Sequence, residues 1–296
     1  MKRISLLLFG AMIALGVRAQ QLYVKSDWKL DSVITTSQDG QLLIRMVCTY
    51  DSQDLLLRVD GQEMNGGILY DTKSLHTYND QGMTASQELY MGLNGEWNML
   101  SKSEVKEYDP SNGMPRVIES VGPQEQNPLG GNVTSRTEIT KWHGNLFEEE
   151  EVYVWLGGAW NHGSTVKATY DSNDLMFKMV TIIGMMGYEY ESVVDYEYDS
   201  HGYVTKETRT SLGTTSTLTY VNEYDGDDNL SKVTLDNEGQ ISITRYYWSR
   251  KGASAISGVK TNESASQWFS LSGHRLAGKP AKQGIYIRDG KKFIVK

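Results

Sequence analysis

Apolar and polar residues alternate along most of this chain in short stretches that end at tight-turn residues. Alternation with a period of two is typical of half-covered β-strands, and Asn-Gly or Gly-Gly between such stretches indicates a hairpin. One set of turns has this glycine signature: Asp39-Gly40, Gly66-Gly67, Asn94-Gly95, Gly157-Gly158, Gly187 and Gly213. The pattern therefore predicts consecutive antiparallel strands, with few helices or none.

A second set of turns carries an aromatic-acidic signature. Tyr followed by Asp or Asn begins at Tyr50, Tyr78, Tyr108, Tyr170, Tyr198 and Tyr224. The spacing is 26 to 30 residues, apart from one gap of 62 that contains a degenerate copy at residues 142–145. The Asp side chain can bond the backbone two residues on, and Gly or Asp can supply the positive φ that closes the turn.

Repeats of this length indicate stacked supersecondary units. We therefore predict an all-β fold: a repetitive antiparallel β-hairpin meander that forms an open or rolled sheet, with a small C-terminal β-hairpin module.

The start of the chain has the pattern of an export signal. Lys2 and Arg3 precede an apolar run, and Val17-Arg18-Ala19 places small residues at the two positions that signal peptidase reads. The run is shorter than the roughly 20 residues that a membrane-spanning helix needs. We expect cleavage after Ala19, no transmembrane segment after signal removal, and export to the cell surface, the extracellular space or the periplasm.

Composition divides the remainder of the chain. Residues 20–250 carry the repeats, 251–266 are rich in Ser and Ala, and 267–296 are basic and contain Asp289-Gly290 between two alternating runs. The predicted organisation is a signal peptide (1–19), a β-repeat domain (20–250), a flexible tether (251–266) and a C-terminal module (267–296).

Charge and cysteine content narrow the range of functions. The chain has 37 acidic and 29 basic residues, a formal net charge of −8. An acidic surface repels phosphate backbones, so we expect no nucleic-acid partner. The single cysteine, Cys48, lies in an apolar run and is predicted to be a buried, unreactive thiol. We also expect no cofactor.

Two regions resemble known families. Residues 269–275, 284–287 and 290–296 are similar to the type A sorting domain of type IX secretion, a C-terminal module of exported Bacteroidetes proteins. The Tyr-Asp-x-x-Gly turns resemble repeats of exported proteins from the same group, and more loosely Rhs/YD repeats. The resemblance implies that the C-terminal module contacts the export and sorting machinery. It transfers no catalytic residue, because the repeat itself has none in that family.

Four tryptophans are the candidate ligand-binding residues: Trp97, Trp142, Trp155 and Trp160. Large aromatic rings can form a flat stacking surface for sugars. The alternative is that they cover the sheet as cross-strand pairs. Residues 93–98 and 156–161 align closely, which predicts equivalent hairpin positions for Trp97 and Trp160.

A calcium loop is the candidate metal site. Asp225, Asp227, Asn229 and Asp236 place oxygens at positions 1, 3, 5 and 12 of such a loop. Leu230 occupies the position where the loop needs Gly, and an Asp-rich hairpin turn is the alternative reading. The five histidines lack the spacing of a zinc site.

No nucleophile motif is present, and no pair of carboxylates is singled out by the sequence. We therefore predict an exported surface or extracellular β-repeat protein with a structural or ligand-binding role, whose ligand is a glycan or a protein, and no identifiable catalysis. The alternative is a secreted carbohydrate-active enzyme or carbohydrate-binding module. Whether the protein is an enzyme stays open, because only acidic side chains converging in a cleft would favour catalysis.

Overall fold

The chain forms two compact units, Met1–Lys251 and Gly252–Lys296. The computed structural model describes residues 4–6, 22–24, 27–122, 134–185, 188–251, 268–270, 275–276, 284–288 and 291–295. The predicted cleavage site at Ala19 and nearly all of the predicted tether lie outside these residues.

Consecutive antiparallel strands make up the first unit. A short pair, β1 (Ile4–Leu6) and β2 (Leu22–Val24), precedes them. The sixteen main strands are β3 (Trp28–Ser37), β4 (Leu42–Tyr50), β5 (Leu56–Asn65), β6 (Ile68–Tyr78), β7 (Thr84–Leu93), β8 (Glu96–Tyr108), β9 (Pro115–Val121), β10 (Thr134–His143), β11 (Leu146–Leu156), β12 (Ala159–Tyr170), β13 (Met176–Met185), β14 (Tyr188–Tyr198), β15 (Val204–Ser211), β16 (Thr214–Tyr224), β17 (Leu230–Asn237) and β18 (Gln240–Arg250).

These strands close into a barrel. The last strand, β18, pairs antiparallel with the first, β3, from Ser242↔Ser37 to Arg250↔Trp28. The prediction of an open or rolled sheet is therefore wrong, although the all-β antiparallel order is correct. Closure satisfies the backbone N–H and C=O groups that two free sheet edges would otherwise expose. Strand tilt and twist bring the two edges together.

The turns separate into two rims of the barrel. Turns that follow the repeat tyrosines lie at one end, here called the Tyr-Asp rim, and the glycine turns lie at the other, the Gly rim. At the Gly rim both central residues of several two-residue turns have positive φ, as at Asn94 (53°) and Gly95 (87°). Such turns match the twist of the flanking strands. Gly187 lies outside the described residues.

The Asp of each Tyr-Asp turn binds the backbone as predicted. Asp51 Oδ1 accepts hydrogen bonds from the N–H groups of Gln53 (2.8 Å) and Leu55 (2.9 Å). The same pair of bonds recurs in the turns that begin at Asn79, Asp171, Asp199 and Asp225. The residue that closes each turn has positive φ: Asp54, Gly82, Gly113, Asp174, Gly202 and Asp228.

In five of the six pairs, all except that of Tyr224, the tyrosine links two neighbouring strands at the same rim. Its hydroxyl donates to a backbone carbonyl on the preceding strand, as from Tyr78 to Leu56 (2.8 Å) and from Tyr170 to Phe147 (2.7 Å). Trp248 makes the equivalent bond from Nε1 to the Leu230 carbonyl (2.7 Å). The repeat motif thus combines a turn with a tyrosine-to-carbonyl hydrogen bond between strands, called the phenol clamp below.

Buried side chains lie on one face of the sheet, inside the barrel. Val33 pairs with Met46 across β3 and β4, and both side chains are buried. The main core consists of Leu30, Val33, Met46, Leu56, Val59, Tyr203, Val204, Leu218, Tyr220, Leu230 and Val233. The inward faces of β3–β5 and β15–β17 supply most of these residues.

The opposite, outer face of the wall carries charge. Cross-strand ion pairs occupy it on several strands: Lys102–Glu88, Lys167–Glu149, Lys206–Glu197 and Lys232–Glu223. A Lys or Arg on the lipid face of a transmembrane barrel costs about 2–4 kcal/mol at the bilayer midplane. The two pairs that lie three or more residues from the strand ends, Lys102–Glu88 and Lys167–Glu149, would bear the larger share of this cost on a lipid face.

The second unit is a small four-stranded sheet with the strand order β20-β19-β21-β22. Its strands are β19 (Trp268–Ser270), β20 (Arg275–Leu276), β21 (Gly284–Arg288) and β22 (Lys291–Val295). The predicted turn at Asp289-Gly290 lies outside the described residues, between two strands that pair antiparallel. In the described part of the whole chain, no helix is long and apolar enough to cross a membrane.

Candidate ligand-binding sites on the outer wall

Trp97 lies flat against the outer wall near the Gly rim. It follows the Asn94-Gly95 turn by two residues and pairs across the strands with Gly92. A Cβ atom at Gly92 would come within 3.0 Å of the indole ring, so a larger residue there would push the ring a few tenths of an ångström off the wall. The side chain remains 42% exposed.

A lysine completes a cluster around this tryptophan. Lys73 Nζ lies 4.6 Å from the ring centroid of Trp97 and 4.5 Å from that of Tyr90. Cation–π contacts of this kind contribute about 0.5–1 kcal/mol at exposed sites. Lys73, Tyr90 and Trp97 are called the Trp97 cluster below.

An open cleft of roughly 290 Å³ lies beside Trp97. Its other lining residues are Arg45, Val47, Asp60, Gly61, Gln62, Asp71 and Thr72. The cleft therefore has one aromatic wall and a mixture of charged and neutral polar groups. An aromatic face can pack against the apolar face of a sugar ring, while carboxylates, amides and guanidinium groups bind its hydroxyls.

Two carboxylates line this cleft, and both are held by neighbours. Asp60 Oδ1 accepts a hydrogen bond from Arg58 Nε at 2.8 Å. Asp71 Oδ1 accepts one from Gln62 Nε2 at 3.2 Å. Both groups are thus presented as hydrogen-bond acceptors on a shallow surface.

A second aromatic cluster lies four strands away along the wall. Trp160 follows the Gly157-Gly158 turn by two residues, the same position that Trp97 has after its own turn. Its cross-strand partner is Trp155, with ring centroids 5.2 Å apart at 72°. The Arg136 guanidinium lies 5.9 Å from the Trp160 centroid.

The two clusters share a cation, a tyrosine and a tryptophan at equivalent positions, and they differ at the cross-strand partner of the tryptophan, which is Gly92 in one and Trp155 in the other. Arg136 on β10 takes the place of Lys73 on β6, two strands before the tryptophan in each case. Tyr153 precedes its turn by four residues, as Tyr90 does. Arg136, Tyr153 and Trp160 make up the second cluster.

Trp142 belongs to the opposite rim. Its Nε1 donates to Asp109 Oδ2 at 3.1 Å, and it is the next-to-last residue of β10, in the place where other repeats have the tyrosine. Tyr224 likewise binds an Asp carboxylate of the preceding Tyr-Asp turn, that of Asp199. Of the four predicted tryptophans, Trp155 and Trp160 thus contact each other and Trp97 forms a separate cluster. Trp142 instead binds the Asp109 turn at the Tyr-Asp rim.

The residues of the predicted calcium loop are not brought together. Asp225 Oδ1 accepts from the backbone of Asp227 and Asn229 at one rim. Asp236 accepts from Gly239 N–H at the other end of β17, roughly 20 Å away at about 3.3 Å per residue. Among the described residues, no group of three or more His, Cys, Asp or Glu side chains could hold a metal ion.

One carboxyl group that the sequence did not single out, that of Glu63, is deeply buried. Glu63 on β5 is 4% exposed, and within the described ranges its Oε1 has no hydrogen-bond partner. Burial raises the pKa of this carboxyl above its ordinary value. Burial also raises the pKa of the Cys48 thiol to about 11, which agrees with the predicted unreactive cysteine.

Sequence reasoning found the two tryptophans but missed the cations and tyrosines beside them. Lys73 and Arg136 reach the rings from strands that are distant in the sequence, and their register was unknown. The signal for the tyrosines was present, because residues 90–95 and 153–158 share Tyr, Leu and the final Gly at the same offsets.

The solved structures that resemble this chain have low sequence identity to it. No family model and no curated protein matches this chain, so neither the YD-repeat nor the sorting-domain resemblance gains support. The all-β antiparallel barrel resembles the crystal structure of a porin-like protein from Bacteroides uniformis, with 12% identity, a TM-score of 0.44, and coverage of 74% of this chain and 96% of that one. The crystal structure of TcdB2-TccC3-TEV is similar at 10% identity and a TM-score of 0.17, covering 73% of this chain and 16% of that one.

Proposed function

We propose that this protein is an exported, water-facing β-barrel that binds a neutral glycan in the cleft beside Trp97 and does not catalyse its turnover. The observation that carries the proposal is the composition of the cleft: an indole wall held flat by Gly92, next to Arg45, Asp60 and Asp71. Few precisely placed polar groups around an aromatic surface are the usual basis of selective small-ligand binding.

The charge of the site favours a neutral ligand. Arg45 in the cleft and Lys73 over its indole wall are matched by two carboxylates of the cleft, Asp60 and Asp71, and the whole chain carries a net charge of −8. A polyanionic glycan would be repelled by that field, whereas a neutral sugar needs only local donors and acceptors.

The position of Lys73 affects whether a sugar can stack on the exposed face of the Trp97 ring. Its ammonium group lies over the Trp97 ring, so a sugar that stacks on that face has to displace it. A long, solvated lysine head moves at small cost. Lys73→Ala therefore strengthens binding if the sugar stacks on the exposed ring face.

Binding to neutral oligosaccharides derived from cellulose, mannan and starch, measured by calorimetry, tests the proposal. Trp97→Ala should weaken binding at least tenfold, about 1.4 kcal/mol. Tyr247→Ala, which removes another exposed ring of the barrel, should change it less than twofold. No binding by the wild-type protein to any of the three series would overturn the proposal, and release of new reducing ends from a bound glycan would replace it with hydrolysis.

The proposal of export is based on the two terminal segments, residues 1–19 and 267–296. We propose removal of residues 1–19 and recognition of residues 267–296 by the sorting machinery, with residues 20–250 as the repeat domain and 251–266 as the tether. The basic composition of the C-terminal segment and its own small sheet support the proposal. Deleting 267–296 should alter where the protein accumulates and leave the thermal midpoint of the barrel nearly unchanged. A large fall in midpoint with unchanged localisation would make the segment a structural part of the protein.

A further inference from the structure

We infer that the Trp97 cleft binds about three consecutive units of a linear glycan that lies across the strands, with the Trp97 ring at one end and Arg45 at the other. This rests on the proposed function of the cleft. The direction of the ligand, its length and the residue that selects that length follow from the register of strands β4 to β8, which all lie within the described range 27–122.

A continuous row of residues crosses five neighbouring strands on the outer wall. Each member is directly opposed to the next one across a strand pair. In order from β4 to β8 the row is Arg45, Gln62, Asp71, Gly92 and Trp97. Directly opposed residues lie side by side at right angles to the strands. The two ends of the row are therefore at the same level along the strands.

The cleft follows this row. Four of the five members, all except Gly92, line it. Gly61 and Thr72, which are paired between β5 and β6, line it as well. Two residues further from the Gly rim, the opposed residues Val47 and Asp60 complete the lining. The cleft thus runs across the strands from β4 towards the indole ring.

The row also sets the length of the ligand. The ring of the Trp97 cluster packs over Gly92, within 3.0 Å of the place of a Cβ atom, so its face lies above β7. From β7 to β4 there are three strand spacings of about 4.8 Å, roughly 14 Å in all. One pyranose unit of an extended chain is about as long as one spacing, so about three units fit between the ring and Arg45.

The polar groups of the row suit sugar hydroxyls. Asp71 Oδ1 accepts a hydrogen bond from Gln62 Nε2 at 3.2 Å. A carboxylate can accept about four hydrogen bonds and an amide both donates and accepts, so this pair has capacity for a ligand. Arg45 adds a charged fork of donors at the β4 end. A unit beside Arg45 gains hydrogen bonds that a shorter ligand cannot reach.

Chain length should therefore change the affinity in one step. We expect the third unit to raise the affinity at least fivefold, because hydrogen bonds to a charged donor are stronger than those between neutral groups. A fourth and a fifth unit extend past the lining of the cleft, and together they should change the affinity less than twofold.

Calorimetry with oligosaccharides of two to five units, from the series that binds, tests this inference. Arg45→Ala should remove the gain between two and three units and leave the affinity for two units within twofold of wild type. Arg245→Ala is the matched control. Arg245 is opposed to Ile34, which is opposed to Arg45, so it lies on the same face two strands beyond the cleft. Its removal should change the affinity less than twofold at every length.

The outcomes separate this inference from the proposed function. If Arg45→Ala keeps the full gain between two and three units, or if the wild-type affinity keeps rising to five units, the three-unit site is overturned while the Trp97 cleft stands. If Trp97→Ala binds two units as wild type does, the proposed function fails, and the three-unit site fails with it. A circular-dichroism melt of each variant identifies any loss that comes from unfolding.

Discussion

The hydroxyl of Tyr50 donates a hydrogen bond to the backbone carbonyl of Leu30, 2.7 Å away on the neighbouring strand. Strands β3 and β4 are joined by a turn at the Gly rim, so this bond ties their two open ends at the Tyr-Asp rim. The same bond recurs in other hairpins of the barrel, from Tyr78, Tyr108, Tyr170 and Tyr198. One rim is thus held by turns and the other by both turns and phenol clamps.

Removing a single clamp should have a measurable cost. Tyr50→Phe keeps the ring and deletes the hydroxyl, and we expect a loss of about 0.5–1.5 kcal/mol in the free energy of unfolding. Tyr247→Phe, at an exposed position, should cost less than about 0.5 kcal/mol. Urea denaturation of both variants provides the comparison, and equal effects would show that the Tyr50 bond contributes nothing specific.

Two substitutions in the turn at Asp225–Asn229 should differ in their effect on the stability of the fold. Asp228 has φ of 57°, where a Cβ atom is strained, so Asp228→Gly should be neutral or stabilising. Asp225→Ala removes two hydrogen bonds to backbone N–H groups and should cost about 1–2 kcal/mol. Thermal unfolding decides this, and a destabilised glycine variant would contradict the role assigned to Asp228.

The sequence predicted the local chemistry of this fold better than its closure. The Asp bonds, the positive φ at Asp54 and Asp174, and the glycine turns followed from short-range rules. Closure depends on β3 meeting β18, whose residues Thr35 and Thr244 are separated by 209 positions. An alternating pattern specifies which face is covered and leaves the number and tilt of strands that complete the ring undetermined.

The candidate site was predictable only in part, for the same reason. Trp97 and Trp160 stand at recognisable positions after glycine turns. The roles of Gly92 and Lys73 follow from strand register, because Gly92 pairs with Trp97 across the hairpin and Lys73 reaches its ring from two strands away. Glu63 looked like any other strand residue until its burial was known.

Glu63 predicts a pH dependence of stability. Its pKa is raised by burial, so the unfolded chain ionises this group more readily than the folded barrel does. Its contribution to stability is therefore full below the unfolded pKa, about 4.3, and is lost as pH rises through the folded value. Glu63→Gln cannot ionise, so it should be more stable than wild type at pH 7 and no different below about pH 4.

A matched control for this variant is Glu104→Gln. Hydrogen bonds from Lys106 and Lys102 lower the pKa of the exposed Glu104 to about 2, so its removal should give no gain at pH 7. Urea titrations at several pH values test both changes. A Glu63→Gln protein that is less stable at pH 7 would show that the native carboxylate is favourably paired.

The seam of the barrel can be tested by cross-linking. Thr35 Oγ1 and Thr244 Oγ1 lie 2.9 Å apart on β3 and β18. Cysteines at directly opposed positions are close enough for a disulfide. In a Cys48→Ser background, Thr35→Cys with Thr244→Cys should therefore oxidise within one chain, whereas Thr35→Cys with Ser164→Cys should not. Mass spectrometry without reductant reads the outcome, and absence of the first cross-link in folded protein would contradict closure.

The central claim is that this barrel presents a charged outer wall to water and binds its ligand there. The most direct measurement is the hydrodynamic state of the chain from Gln20 onward, expressed and purified without detergent, by size-exclusion chromatography with light scattering. The ion pairs Lys167–Glu149 and Lys102–Glu88, which lie away from the strand ends on the outer face, predict a folded, β-rich, dispersed protein under these conditions. A chain that folds only in detergent or lipid would contradict the water-facing wall and the binding sites proposed on it.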